Sequence, residues 1–208
     1  MSSDSVVKER RADEPEPAAA VQGHEGGLHP DSISPETLEA SVVGVGLAPG
    51  SLRDQLASAE TLLVFLRHFG CIFCRETVDD LRKLSEQDAS FPSVLFFSQG
   101  SSTEARVFLN RFWSTARSIS DLELEFYEAF GVKQGSFLQA LGPGVLRARR
   151  RALEKGHENG PRDGDIWRMP GAFLVRGSEI LWRHEFRHSA DHPDFDQVPR
   201  ISAASEAN

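Results

Sequence analysis

Cys71 and Cys74 stand three residues apart in the stretch Leu66-Arg67-His68-Phe69-Gly70-Cys71-Ile72-Phe73-Cys74-Arg75, and the 208-residue chain has no other cysteine. Two thiols at this spacing can close a small disulfide ring, and a thiolate at one of them can attack an electrophilic sulfur or oxygen. Arg67 and Arg75 flank the pair and favour the anion if they fold over it. His68 is a candidate proton donor to a leaving group, or a histidine that caps a strand end. Two cysteines in one motif exclude a self-contained four-cysteine metal site. They leave open a metal ion or iron–sulfur cluster bridged across a dimer by two cysteines from each chain. A redox-inert binding module is the third reading.

The elements that must hold this pair are legible on either side of it. Leu62 to Leu66 is an unbroken apolar run, which suits a strand buried on both faces. Cys74, Val78, Leu81 and Leu84 then recur at steps of four, three and three, one face of an α-helix. The spacing therefore predicts Cys71 at a helix N-terminus and Cys74 one turn further in, against the sheet. Unpaired backbone N–H groups and the helix dipole lower the pKa of a thiol in the first position.

The flanking chain supplies further units. Ser51 caps a short helix over Leu52 to Ala59. Pro92-Ser93 lead into a second buried strand, Val94 to Phe97. Ser101 or Ser102 caps a helix with Ala105, Phe108, Leu109 and Phe112 on its inner face, and Asp121 caps a shorter one carrying Leu122, Phe126, Ala129 and Phe130, closed by Gly131. This rhythm means βαβ units. Lys133 to Asp165 keeps only partial periodicity, broken at Gly142-Pro143-Gly144 and followed by a basic run, Arg147, Arg149, Arg150, Arg151 and Lys155, which reads as a solvated helix offsetting an acidic chain. Gly171 to Val175, the turn Arg176-Gly177-Ser178 and Glu179 to His184 form a β-hairpin. Pro170 before it is an edge-strand starter or a cis-proline. Trp167 walls a pocket near Pro170 or packs in the core. His184, His188 and His192 recur every four residues, but Asp191 and Pro193 break a continuous helix there, so the spacing is read as accidental.

Residues 1–30 are polar and aperiodic and are expected to be a disordered tail, residues 31–200 one domain, and residues 201–208 a flexible end. The formal net charge of −8 argues against nucleic-acid binding. No apolar stretch is long enough to span a bilayer, and the first residues lack a signal-peptide core. A reducing cytoplasm is the expected location, where a CxxC pair is redox-active or metal-binding. No dinucleotide fingerprint is present and no cofactor is expected.

The order strand, CxxC helix, second βα unit, proline and hairpin resembles a thioredoxin fold. The segment LRHFGCIFCRETVDDLRKL, with SDLELEFYEAFGV, WRMPGAFLV and WRHEFRHSADHPDF, resembles the peroxiredoxin-like proteins of the alkyl hydroperoxide reductase and thiol-specific antioxidant superfamily, in the branch that includes the prostamide/prostaglandin F synthases. The resemblance implies an α/β thioredoxin-like three-layer sandwich, with a mixed central sheet and a helical insert before the C-terminal hairpin. It implies Cys71 and Cys74 as the redox pair and Pro170 as a cis-proline beside them. The expected reaction is reduction of a peroxide, endoperoxide or disulfide, reset by an external thioredoxin- or glutathione-type reductant, and a homodimer is one assembly compatible with this reading. True peroxiredoxins have Thr at the first motif position and the attacking Cys at the second, with a Pro near the motif's start. Here both positions are Cys and Phe69-Gly70 replace the Pro, so the order of attack stays open; the helical pattern, which buries Cys74, favours Cys71.

Overall fold

The computed structural model describes residues 31–56, 60–162 and 164–201. The expected tail, residues 1–30, and residues 202–208 of the expected flexible end lie outside them. In chain order the elements are α1 (Pro35–Glu39), β1 (Gly44–Val45), α2 (Leu52–Gln55), β2 (Thr61–Phe65), α3 (Ile72–Gln87), β3 (Ser93–Ser98) and α4 (Ser102–Phe112). They continue with β4 (Arg117–Ser120), α5 (Glu125–Ala129), α6 (Phe137–Leu141), α7 (Pro143–Glu154), β5 (Gly171–Arg176) and β6 (Glu179–Arg183), and a 3₁₀ turn follows at Phe195–Gln197.

The apolar runs are continuous because the inner strands are covered on both faces. Leu62, Val64 and Leu66 of the β2 segment face one core with Val94, Phe96, Ala172 and Leu174. Leu63 and Phe65 face the other with Leu95, Phe97, Phe173 and Val175. On the first face lie α3, α4 and α7; on the second lie α1, α2 and α5, where Phe65 stacks on Phe97 with ring centroids 4.3 Å apart. Each fully buried Leu or Phe contributes about 1.5–3 kcal/mol. The sheet order is β1-β4-β3-β2-β5-β6, with β2, β3 and β4 parallel and β1, β5 and β6 antiparallel to their neighbours. This is the mixed three-layer sandwich the sequence predicts, and the β5–β6 hairpin turns at Gly177, where φ is +57°.

Three local expectations change. Strand β4 has no apolar run in sequence, yet Ser118 and Ile119 are buried because β1 and β3 enclose it. Helix α2 ends at Gln55, because Leu56 leaves the helical path to cap it; residues 57–59 lie outside the described residues. Pro170 is not cis: no peptide bond among the described residues is cis. The chain enters β5 already extended, held by Met169 N–H donating to Lys133 O (3.0 Å), so no tight turn requires the cis form.

Candidate functional site: a two-cysteine helix terminus

Strand β2 ends and the chain turns through residues 67–70 into α3, with Cys71 as the N-cap residue. Gly70 allows the turn to pack: a Cβ there would stand 1.7 Å from Pro161 O, and Gly160 N–H donates to Gly70 O (2.9 Å). Gln99, just after β3, ties the same turn down by donating to Arg67 O and accepting from Asp165 N–H (2.7 Å).

Both cysteines are free thiols and each is only 4% exposed. Their surroundings differ. Cys71 opens onto a cleft of about 360 Å³, also lined by Arg67, His68, Leu141, Leu146, Arg149, Arg162 and Trp167. Cys74 abuts a void of about 20 Å³ closed by Pro170, Phe186, Ala190 and Phe195. The Cys74 thiol hydrogen-bonds to the Cys71 sulfur, and this is the largest influence pulling the Cys71 pKa down to about 5. Burial opposes it, while the positive charges of Arg67 and His68 and the Cys74 backbone N–H add to it. Cys74 is driven well above the ordinary thiol range, first by burial and then by its neighbour's negative charge and hydrogen bond. Arg67 N–H donates to the Cys74 sulfur at 3.2 Å. One sulfur is thus held as an anion and the other as its proton donor.

Arg67 is fixed by three donations: Nη1 to the Cys71 sulfur (3.5 Å), Nε to Arg168 O (2.9 Å) and Nη2 to Ile166 O. The expectation that Arg75 also folds over the thiols is corrected. Its Nε donates to Phe69 O (3.0 Å) and its Nη1 to Glu158 O (2.8 Å), with the guanidinium over the Phe112 ring. It projects from α3 toward the 158–160 loop and holds that loop in place. Pro170 lies behind Cys74 and does not line the Cys71 cleft. Trp167 is a cleft wall, half exposed, with its ring 6.4 Å from that of Phe137. The three histidines go to different partners: His184 faces Asp191 (3.5 Å), His192 faces Asp80 (3.3 Å), and the His188 ring packs beside Gly144. A cluster bridging two chains needs both sulfurs at an outer surface, and each is only 4% exposed.

Sequence reasoning missed Glu76, Arg149 and Arg162. Glu76 is fully buried on α3 and accepts both Nε (2.7 Å) and Nη2 (2.9 Å) of Arg151, while Lys155 stands 3.0 Å away. Lys155 also reaches Asp80 (2.5 Å). The basic run is therefore not wholly solvated: two of its cations bind α7 to α3, and this places Leu146 and Arg149 on the cleft wall. The readable signal was Glu76 itself, a carboxylate on α3 about half a turn round from the Cys74–Val78 face, with a basic run later in the chain to pair with it.

Comparison with known proteins supplies three findings. The family described as AhpC/TSA antioxidant enzyme matches residues 80–188, a span that begins after Cys74. Peroxiredoxin-like 2C of Bos taurus is 27% identical over 180 residues, 78% of this chain and 76% of the relative; that of Homo sapiens is 26% identical over 164 residues, 71% and 70%. Among solved structures, the Xanthomonas campestris bacterioferritin comigratory protein, studied for alkyl peroxide reduction, aligns with a TM-score of 0.58 at 15% identity, covering 89% of this chain and 99% of its own. A secreted Mycobacterium tuberculosis disulfide oxidoreductase homologous to E. coli DsbE aligns at 0.51 and 12% identity, covering 82% and 99%. The two structures share the thioredoxin-like fold with this chain.

Proposed function

The chain belongs to the AhpC/TSA antioxidant enzyme family, and on that premise we propose that it is a thiol oxidoreductase whose attacking group is Cys71 and whose resolving group is Cys74. The observation that carries this reading is the asymmetry of the pair: a thiol pulled down to about 5 at the floor of an open cleft, hydrogen-bonded to a thiol held protonated behind it. The Cys71 thiolate attacks the outer oxygen of a hydroperoxide. The O–O bond breaks, Cys71 becomes a sulfenic acid, and the leaving alkoxide takes a proton, for which His68 on the same cleft is the available donor. The Cys74 sulfur then attacks the sulfenic sulfur, and its proton leaves with the hydroxyl group as water. The product is an internal disulfide. Two electrons from an external thiol, thioredoxin- or glutathione-type, restore both thiols. The cleft is far larger than the roughly 30 Å³ of a water molecule and falls in the ~300–1,000 Å³ range of small-molecule sites, so an organic hydroperoxide fits better than hydrogen peroxide alone; an endoperoxide would instead leave a sulfenate ester on Cys71, which Cys74 resolves with release of the alcohol.

Thiol trapping and mass spectrometry after stoichiometric peroxide test the assignment. Cys74→Ser accumulates a sulfenic acid at Cys71, whereas Cys71→Ser reacts at least about a thousandfold more slowly than wild type. A Cys71→Ser protein that keeps the wild-type rate reverses the roles. Neither thiol outpacing free cysteine ends the enzymatic reading.

A further inference from the structure

Nine large apolar side chains are exposed among the described residues, and six of them, Phe137, Leu138, Leu141, Leu146, Leu153 and Trp167, lie on α6, α7 and the loop against α6. Phe137 and Leu146 are 66% exposed and Leu138 is 72% exposed, so these are not core residues at a frayed edge. From Lys133 to Leu153 the chain has Lys133, Arg147, Arg149, Arg150 and Arg151 and no Asp or Glu, although the whole chain is net −8. Arg151 is bound to Glu76 and Arg150 to Glu154, while Arg147 and Arg149 have no ion-pair partner among the described residues.

An apolar patch of this density marks an interface. A second copy of the same patch would bring like charges together, and the rest of the chain is acidic. The occupant must offer negative charge and a medium for leucine and phenylalanine. Side chains of this kind interleaved with arginine suit the headgroup–acyl boundary of a bilayer, whereas the strongly contributing positions of protein interfaces are poor in leucine. The buried face of α7, Val145, Ala148 and Ala152, is already used against α3 in the first core, so its opposite side is free to face outward. We infer that the α6–α7 insert is a peripheral docking surface for a bilayer containing anionic phospholipid. Leu141, Leu146 and Arg149 also line the Cys71 cleft, so docking turns its mouth toward the lipid. The inference does not depend on the redox reading.

Co-sedimentation of the full chain with vesicles tests it, comparing pure phosphatidylcholine with a mixture containing 30% phosphatidylserine, at about 0.1 M salt. Wild type is expected to pellet with the anionic vesicles and to lose that binding as salt rises. The pairs Phe137→Asp with Leu138→Asp, and Arg147→Glu with Arg150→Glu, are expected to lower the partition at least tenfold. Val107→Asp with Leu122→Asp, exposed positions outside the insert, is expected to leave it unchanged. Wild type remaining in the supernatant overturns the inference in favour of an acidic protein occupant. Equal pelleting of the insert variants, equal binding to neutral vesicles, or loss in the Val107/Leu122 pair also overturns it.

Discussion

In front of Cys71 lies a cleft of about 360 Å³ lined by Arg67, His68, Arg149 and Arg162; behind Cys74 lies a void of about 20 Å³ closed by Pro170, Phe186 and Phe195. One turn of one helix separates the two sulfurs. The cleft side offers positive charge, helix N–H groups and room for a reactant, all of which favour an anion. On the narrow side, burial and a negative neighbour favour the neutral thiol. The two protonation states are coupled, because the proton held on Cys74 is the donor that most stabilises the charge on Cys71. The difference shows that unlike surroundings imposed on like residues, and not the CxxC spacing alone, set the two thiols apart.

The largest expected effect lies in stability against pH. A thiol with a folded-state pKa of about 5, below the ordinary ~8.5, contributes stability that is fully present above the unfolded value and fades as pH falls through 5. Between those limits the reduced protein gains up to about 1.4 kcal/mol per pH unit from this group. Cys74, shifted the other way, subtracts only above the ordinary thiol range. Urea denaturation in reductant at pH 5 to 8 therefore shows a steeper rise for wild type than for Cys71→Ser. Parallel curves would mean that Cys71 is not an anion in the folded protein.

Next comes the coupling across the turn. Cys74→Ser replaces the thiol donor with a hydroxyl less well matched to sulfur, and Cys71 titrates higher. Its alkylation by iodoacetamide at pH 6 is expected to slow about tenfold, with the midpoint of the rate–pH profile moved upward. An unmoved midpoint would assign the lowered pKa to Arg67 and the helix terminus. The smallest effect is expected from His68→Asn, because its charge ranks below the Cys74 hydrogen bond and Arg67 among the lowering influences. A loss of about threefold in the same assay separates the His68 contribution from that of Arg67, which remains in place.

Much of this was legible before any coordinates. The β2 run, the Cys74-Val78-Leu81 face and the β5–β6 hairpin could be read because each depends on periodicity within a few neighbouring residues. Strand β4 could not, since Ser118 becomes a sheet residue only when β1 and β3 close around it. Arg67 and Arg75 look equivalent in sequence, one on each side of the pair. The fold sends the first to Cys71 and to the carbonyls of residues 166 and 168, and the second to Phe69 and Glu158.

The sequence by itself determined the strand–helix junction, the position of Cys71 at a helix start and the burial of Cys74 one turn later. These follow from side-chain polarity and from 3.6 residues per turn. Only the tertiary structure decided which sulfur has a route to a reactant. That route is built by the α6–α7 insert, held on α3 through Glu76, Arg151 and Lys155, and by the loop bearing Trp167. Such long-range ion pairs and close approaches depend on how separate elements pack, and no local pattern encodes them.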